Sequence, residues 1–228
     1  MEITPTIERY LKCIIEDEFH RFKSWDICYQ AFNINKQTEI LTLELAFYLA
    51  SWGMYRGSSG LLQTNYLIHK DAVNILFTKE SLKLKCNQNN EVSRKNVSEI
   101  LDLKNKLAAH YREINFTKKT QKSHPISPTD TLLSKVLLGT LGCMPAYDRY
   151  FILGLKEMKI KHTILNVNSL NELFDFVDIN KKEIENVQKL ISTKTGKHYP
   201  IMKILDMYFW QIGYDKTLKK TNGIGINL

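Results

Sequence analysis

The sequence predicts an all-α fold, and three observations carry that expectation. Apolar residues recur three and four apart through most of the chain, as on the buried stripe of a helix. Helix starts and stops stand where that period begins and ends: Thr4-Pro5, Pro128-Thr129 and Pro200 at starts, Gly196 past an end. No block of useful length alternates apolar and polar residues as a half-buried strand would. Eight to ten helices are expected.

The first helix is expected from Thr4-Pro5, with Ile7, Leu11, Ile14, Ile15, Phe22 and Trp25 on one face and Glu8, Lys12, Glu16 and Arg21 on the other. Glu39 to Ser51, "EILTLELAFYLAS", is apolar almost all round and is expected to be a buried central helix. It ends in "WGMYRGSSG", where Gly53, Gly57 and Gly60 break regular structure. "LLQTNYLIHKDAVNILF" reads as one or two further helices, and residues 83–96 as a polar loop in which Ser93 caps the next helix. Val97 to Glu113 is helical in period.

"FTKKTQKSHPISP" is polar and basic, so a lobe boundary is placed near 117–128. A helix then runs from Pro128-Thr129 through Leu141. A Gly142–Pro145 turn comes next, and a helix beginning at Pro145 puts Asp148 in its first turn. "KHTILNV" offers the one short strand. Asn168 is expected to cap "SLNELFDFVD", and residues 181–195 form another helix. "YPIMKILDMYFWQIGY" starts at Pro200 and is expected to stop at Gly213. Residues 1–215 thus form one all-α domain, and 216–228 a flexible basic tail.

The 228 residues are 43% apolar and 25% charged, proportions of an ordinary globular chain. The net charge of +8 has two readings: attraction to polyanions, or a lysine-rich surface with no partner. Cys13, Cys28, Cys86 and Cys143 are scattered without a Cys-x-x-Cys pair, which fits a reducing compartment and speaks against a zinc ribbon, an iron–sulfur cluster or a disulfide scaffold. The N-terminus lacks a secretory pattern and no apolar stretch is long enough to cross a bilayer, so no membrane association and a cytoplasmic location are expected. His69 has no second histidine or cysteine at metal spacing. There is no Walker loop, no Gly-x-Gly-x-x-Gly and no nucleophile elbow. No metal and no cofactor are therefore expected. The sequence leaves the oligomeric state open.

Three segments are apolar and aromatic with isolated polar groups: "FYLASWGMYRGSSGLLQ", "LLSKVLLGTLGCMPAYDRYF" and "YPIMKILDMYFWQIGY". A carboxylate buried alone is costly, so Asp148 and Asp206 each imply a partner. Asp148 reads either as an acid stabilised by the helix N-terminus or as a group facing a cleft. Arg56 and Arg149 are its candidate counter-ions, and either could hold a phosphate or carboxylate. Tyr147 flanks the acid. Asp206 shares a helix face with Trp210 and lies three after Lys203, a spacing common in surface or satellite ion pairs. Trp52, Tyr55 and Trp210 serve either for packing or for stacking on a base. "RGSSG" is either an anion-binding turn or a plain one.

Thr129 to Phe151, "TDTLLSKVLLGTLGCMPAYDRYF", resembles the segment after the hairpin in the helix-hairpin-helix DNA glycosylase superfamily. On that resemblance Thr131 falls in the first helix, Leu138-Gly139 on a Leu-Gly pair, and Asp148 on the aspartate that assists base loss and stabilises a cationic sugar. The place of the family's glycine-containing hairpin reads "SHPISPTD" here, and Lys135 lies in the region of the lyase lysine, where a surface position is equally open. The whole chain also resembles a group of bacterial proteins sharing segments like "LASWGMYRGSS", "GCMPAYDRYF" and "MYFWQIG"; that grouping implies no activity.

Two functions are therefore expected as alternatives. One is a nucleic-acid or nucleotide binding protein with a glycosylase-like core, in which, if it is catalytic, Asp148 assists cleavage of an N-glycosidic bond, Arg56 and Arg149 hold phosphate, and Trp52 or Trp210 stacks on a base. The other is a non-catalytic helical interaction protein in which Asp148 and an arginine form a structural pair.

Overall fold

In the computed structural model the described residues are 2–34, 37–56, 60–117 and 123–223. They form eleven α-helices, three short 3₁₀ turns and one two-stranded hairpin. The protein is mostly helical, as its periodicity predicts.

The expected first helix is two, α1 (Ile3–Glu16) and α2 (Lys23–Asn33). The break has a local cause: the Asp17 carboxylate accepts the Phe19 N–H at 2.8 Å, and the Asp17 carbonyl takes the His20 N–H. A side chain that captures backbone amides in this way competes with helix continuation. Thr4 does not cap α1. The N–H groups of Ile3 and Thr4 donate instead to Glu183, far along the chain, at 2.9 and 3.1 Å. Glu8–Lys194 and Arg9–Asp215 ion pairs reinforce the same seam.

α3 (Thr38–Ser51) is not buried all round. Leu41, Leu45, Tyr48 and Leu49 face inward, while Ile40, Leu43 and Phe47 are exposed. All-round burial belongs to α7 (Asp130–Thr140), where every residue from Leu132 to Thr140 is buried. Thr129 caps α7 by accepting the Leu132 N–H. Between these helices lie 3₁₀ turns at 61–63 and 66–69, α4 (Lys70–Leu76), α5 (Lys79–Leu82), a 3₁₀ turn at 94–96 and α6 (Val97–Glu113). Ser93 does cap, in a reciprocal box with Asn96.

The segment read as a boundary contains an antiparallel hairpin, β1 (Asn115–Thr117) and β2 (Ser123–Pro125), with Phe116 opposite His124. Phe116 and Ile126 are buried in the main core, and a side chain at Gly60 would strike the Phe116 ring.

α8 (Arg149–Glu157), α9 (Val167–Ile179), α10 (Lys181–Thr195) and α11 (Ile201–Gly223) complete the fold. "KHTILNV" is not a strand: its His162 N–H and ring bind Glu172 of α9, and Asn166, not Asn168, caps α9. Gly196 ends α10 in the left-handed region, as expected. Gly213 does not end α11. The helix runs on to Gly223, so residues 216–223 are helical rather than a loose tail, and Lys216 pairs with Glu157; residues 224–228 lie outside the described ones. Gly213 and Gly154 have another role. A Cβ on Gly154 would run into the Phe209 carbonyl, and one on Gly213 into the Tyr150 carbonyl. Bare backbone lets α8 and α11 pack at direct main-chain contact. A single core cluster extends from Ile3 to Ile212. Among the described residues no helix is long and apolar enough to cross a membrane.

Candidate functional site

The site is built on the turn from Gly142 to Asp148. Gly142 adopts φ +66°, which favours glycine, and a side chain there would meet Pro200 and Tyr29. Four neighbours then fix the turn. Asp206 of α11 accepts the Ala146 N–H at 3.0 Å, and Ser134 of α7 accepts the Tyr147 N–H at 2.9 Å. Thr131 donates to the Tyr147 carbonyl at 2.8 Å. The Tyr147 hydroxyl is hydrogen-bonded to Ser169 of α9. Tyr147 is itself buried, and burial pushes its phenol pKa up. It supports the turn from within.

This turn aims Asp148. α8 begins at Arg149, so Asp148 is the N-cap rather than a first-turn residue, and Pro145 lies in the turn before it. Its Oδ1 accepts from the N–H groups of Tyr150 and Phe151 at 3.0 and 3.1 Å. Its Oδ2 accepts from Lys135 Nζ at 2.9 Å. The counter-ion is thus Lys135, not Arg56 or Arg149. Lys135 is no surface residue: its side chain is 3% exposed against 14% for Asp148. The ammonium also lies 4.6 Å from the centre of the Trp52 ring.

Trp52 joins the acid to an aromatic cluster. It stacks on Phe22 at 5.5 Å and meets Trp210 edge-on at 5.9 Å. Trp210 packs against Tyr150 and Tyr214. Arg21, from the α1–α2 connection, places its guanidinium 5.1 Å from the Trp52 ring. Trp210 is buried, whereas Trp52, Tyr150 and Tyr214 are half-buried and form the accessible part of the cluster. The indole N–H groups of Trp52 and Trp210 have no hydrogen-bond partner among the described residues.

Asp206 belongs to a second, deeper pair. Lys203 Nζ lies 3.0 Å from its Oδ2 and 3.4 Å from the Tyr10 hydroxyl, between the rings of Tyr10 and Trp25. The spacing reads as a surface or satellite ion pair, and both side chains are buried. α11 is flanked on both sides by other helices, so no face of this stretch is left for solvent.

The structure therefore brings Asp148, Trp52 and Trp210 together and ties Asp206 to the same turn. Tyr55 points elsewhere: its hydroxyl bonds the buried His69 ring at 2.9 Å, whose other nitrogen meets Tyr111 at 2.7 Å. Burial pushes Tyr55 up to about 12; burial first and then the nearby His110 push His69 down to about 3. Arg56 is exposed, and Arg149 is exposed with its guanidinium 4.9 Å from the Tyr150 ring. The anion-binding reading of "RGSSG" falls largely on Gly57, Ser58 and Ser59, outside the described residues. Hollows of 200 to 270 Å³ open elsewhere, and Asp148 lines none of them. Among the described residues no group of three or more His, Cys, Asp or Glu is placed to hold a metal.

Sequence reasoning did not find Lys135 as the counter-ion and gave no role to Arg21. Lys135 had a signal, a lone cation inside the apolar run "LLSKVLL". Arg21 had none, because its place depends on a loop fold. No family model, curated protein or solved structure matches the chain. The glycosylase resemblance rests on residues 129–151 alone.

Proposed function

We propose that the protein binds a nucleic acid or nucleotide over the exposed edge of Trp52 and Tyr150, and that Asp148 assists cleavage of an N-glycosidic bond there. The observation that carries this reading is the stacking of unlike functions in one place: a partly accessible carboxylate, a buried amine 2.9 Å from it, and a half-exposed indole above that amine. A base stacks on Trp52 or Tyr150, whose faces suit any base. Arg21, Arg56 and Arg149 supply cations for phosphate. As the base leaves, positive charge develops on the sugar, and the fixed carboxylate of Asp148 stabilises it. Lys135 holds that carboxylate in position through Oδ2.

The test is binding of labelled single- and double-stranded DNA across a salt series, followed by assay of base release. Affinity should fall with salt, with a slope of about 0.7 per phosphate contacted on single strands. Asp148→Asn should abolish base release and keep binding; Trp52→Ala should weaken binding. Salt-insensitive binding removes the phosphate contacts, and full activity in Asp148→Asn removes the catalytic role.

One observation favours the second reading, a non-catalytic helical interaction protein. Both Asp148 oxygens are already engaged, one by the helix N-terminus and one by Lys135. On this reading the structural pair is Asp148–Lys135. It predicts that Asp148→Ala lowers stability while no nucleic acid or nucleotide binds.

A further inference from the structure

A second feature lies apart from the Asp148 cluster and shares no lining residue with it. Between α2, the loop before α6 and the α10–α11 turn is an open hollow of about 220 Å³. Its floor carries Asp26, whose side chain is 4% exposed. A carboxylate so deeply placed ordinarily has several short hydrogen bonds. The ion pair of Asp26 is with Lys197 at 3.4 Å, longer than a charge-assisted hydrogen bond. Burial first, then the Asp26 charge and the approach of the Tyr199 hydroxyl to that carboxylate as a hydrogen-bond partner, push the Tyr199 phenol up, although the contact falls short of full hydrogen-bond geometry; a phenol donates only once, whereas a carboxylate accepts several times. Acceptor capacity is left over at the bottom of an opening.

The rim is amide-rich. Gln30 and Asn33 come from α2, Asn87 and Gln88 from the loop. The side chains of Gln30 and Gln88 carry no hydrogen bond among the described residues, and each amide both donates and accepts. Gly196 leaves the third wall open, since a side chain there would touch nothing within 4 Å.

We infer that this hollow binds a small neutral polyhydroxylated molecule of about one sugar ring. Hydroxyl groups donate to Asp26 and exchange donor and acceptor roles with the amides. Lys197 balances the Asp26 charge, so a lone cation or anion has no net attraction there. The volume is below that of an ordinary drug-sized pocket, of about 300 Å³ or more, and limits the guest to a single ring.

The experiment titrates D-glucose, D-mannose and D-ribose into the full chain, with L-lysine and acetate as charged comparators, and follows the side-chain amide signals by NMR. At least one sugar should shift Gln30 and Gln88 saturably, with a Kd of about 1 mM or tighter. Asp26→Asn should weaken that binding about tenfold and Gln30→Ala severalfold. Should Asp26→Asn not fold, as thermal melting would show, the exposed Gln30→Ala and Gln88→Ala variants carry the test. Saturation by no sugar, sugar affinity unchanged in the folded variants, or saturation by the charged comparators alone overturns the inference.

Discussion

Among the described residues two lysine–aspartate pairs have a buried ammonium, and they differ in access. Lys203–Asp206 lies within one helix, three residues apart, with both side chains sealed and the ammonium between two aromatic rings. Lys135–Asp148 spans α7 and the start of α8, and its aspartate keeps an edge in water. Asp206 spends its second oxygen on the Ala146 N–H, and so holds up the turn that presents Asp148. Identical chemistry thus serves two ends. The sealed pair is a foundation, and the open pair is the one a ligand can reach. A charged pair in a protein interior is weak evidence for function until its access is known.

The largest expected effect breaks the foundation. Asp206→Ala leaves Lys203 without its counter-ion and the Ala146 N–H without an acceptor; about 3–5 kcal/mol of stability should be lost in urea unfolding. The double variant Lys203→Met/Asp206→Asn should recover most of that loss, because no lone charge remains and the amide oxygen still accepts. A double variant as unstable as Asp206→Ala would show that the pair itself, not its imbalance, matters.

At the open pair the loss should be smaller. Asp148→Ala removes an N-cap and the partner of Lys135, but water can reach the vacated edge. A lost cap plus a charged hydrogen bond sum to about 2–5 kcal/mol, and water at the vacated edge should keep the loss in the lower half of that range. If Asp148→Ala proves costlier than Asp206→Ala, the ranking of foundation over site is wrong.

Acidity probes a buried group outside both pairs. His69 titrates at about 3 in the folded protein against 6.5 when unfolded. Between these values the unfolded chain binds the extra proton, so stability should fall as pH drops from 6.5 towards 3, by a few kcal/mol at most. His69→Phe should flatten this slope in denaturation curves taken across pH.

Glu91 acts in the opposite direction and more weakly. Burial raises it from 4.5 to about 7, although Ile201, Cys86 and Gln188 hydrogen bonds pull it down. The folded form therefore binds the proton more tightly, and stability should decline as pH rises from 4.5 to 7. Glu91→Gln, which keeps an acceptor for the Ile201 N–H, should be about 1–2 kcal/mol more stable than the natural chain at pH 8 and equal to it near pH 4. Equal stability at both pH values would refute the assigned cause.

Local signals in the sequence were reliable where the chemistry is local. Thr129, Ser93 and Gly196 mark helix ends because a cap acts within four residues. The aspartate at the start of α8 was readable for the same reason. Tertiary causes were not. Gly213 looks like a stop, and only the crossing of α8 shows that it is a contact point inside α11. The apolar ring of α3 could not reveal that Ile40, Leu43 and Phe47 stay outside while α7 takes the centre. Lys135 leaves a surface position open and Lys203 reads as part of a surface or satellite pair, because sequence spacing does not name the aromatic rings brought around them from other helices. The arginine counter-ions expected for Asp148 differ from the Lys135 found there for the same reason.

The seam between α1 and the last two helices bears on how the chain is made. Glu183 closes the start of α1, and Glu8 and Arg9 reach Lys194 and Asp215. These partners leave the ribosome some 180 residues after the residues they hold. At a synthesis rate of about 5–20 residues per second, α1 stays unclamped for roughly 10 seconds or more, its apolar stripe open to solvent or to a chaperone. α1 is thus secured by helices made long after it, and its closure waits for α10 and α11 rather than following its own emergence.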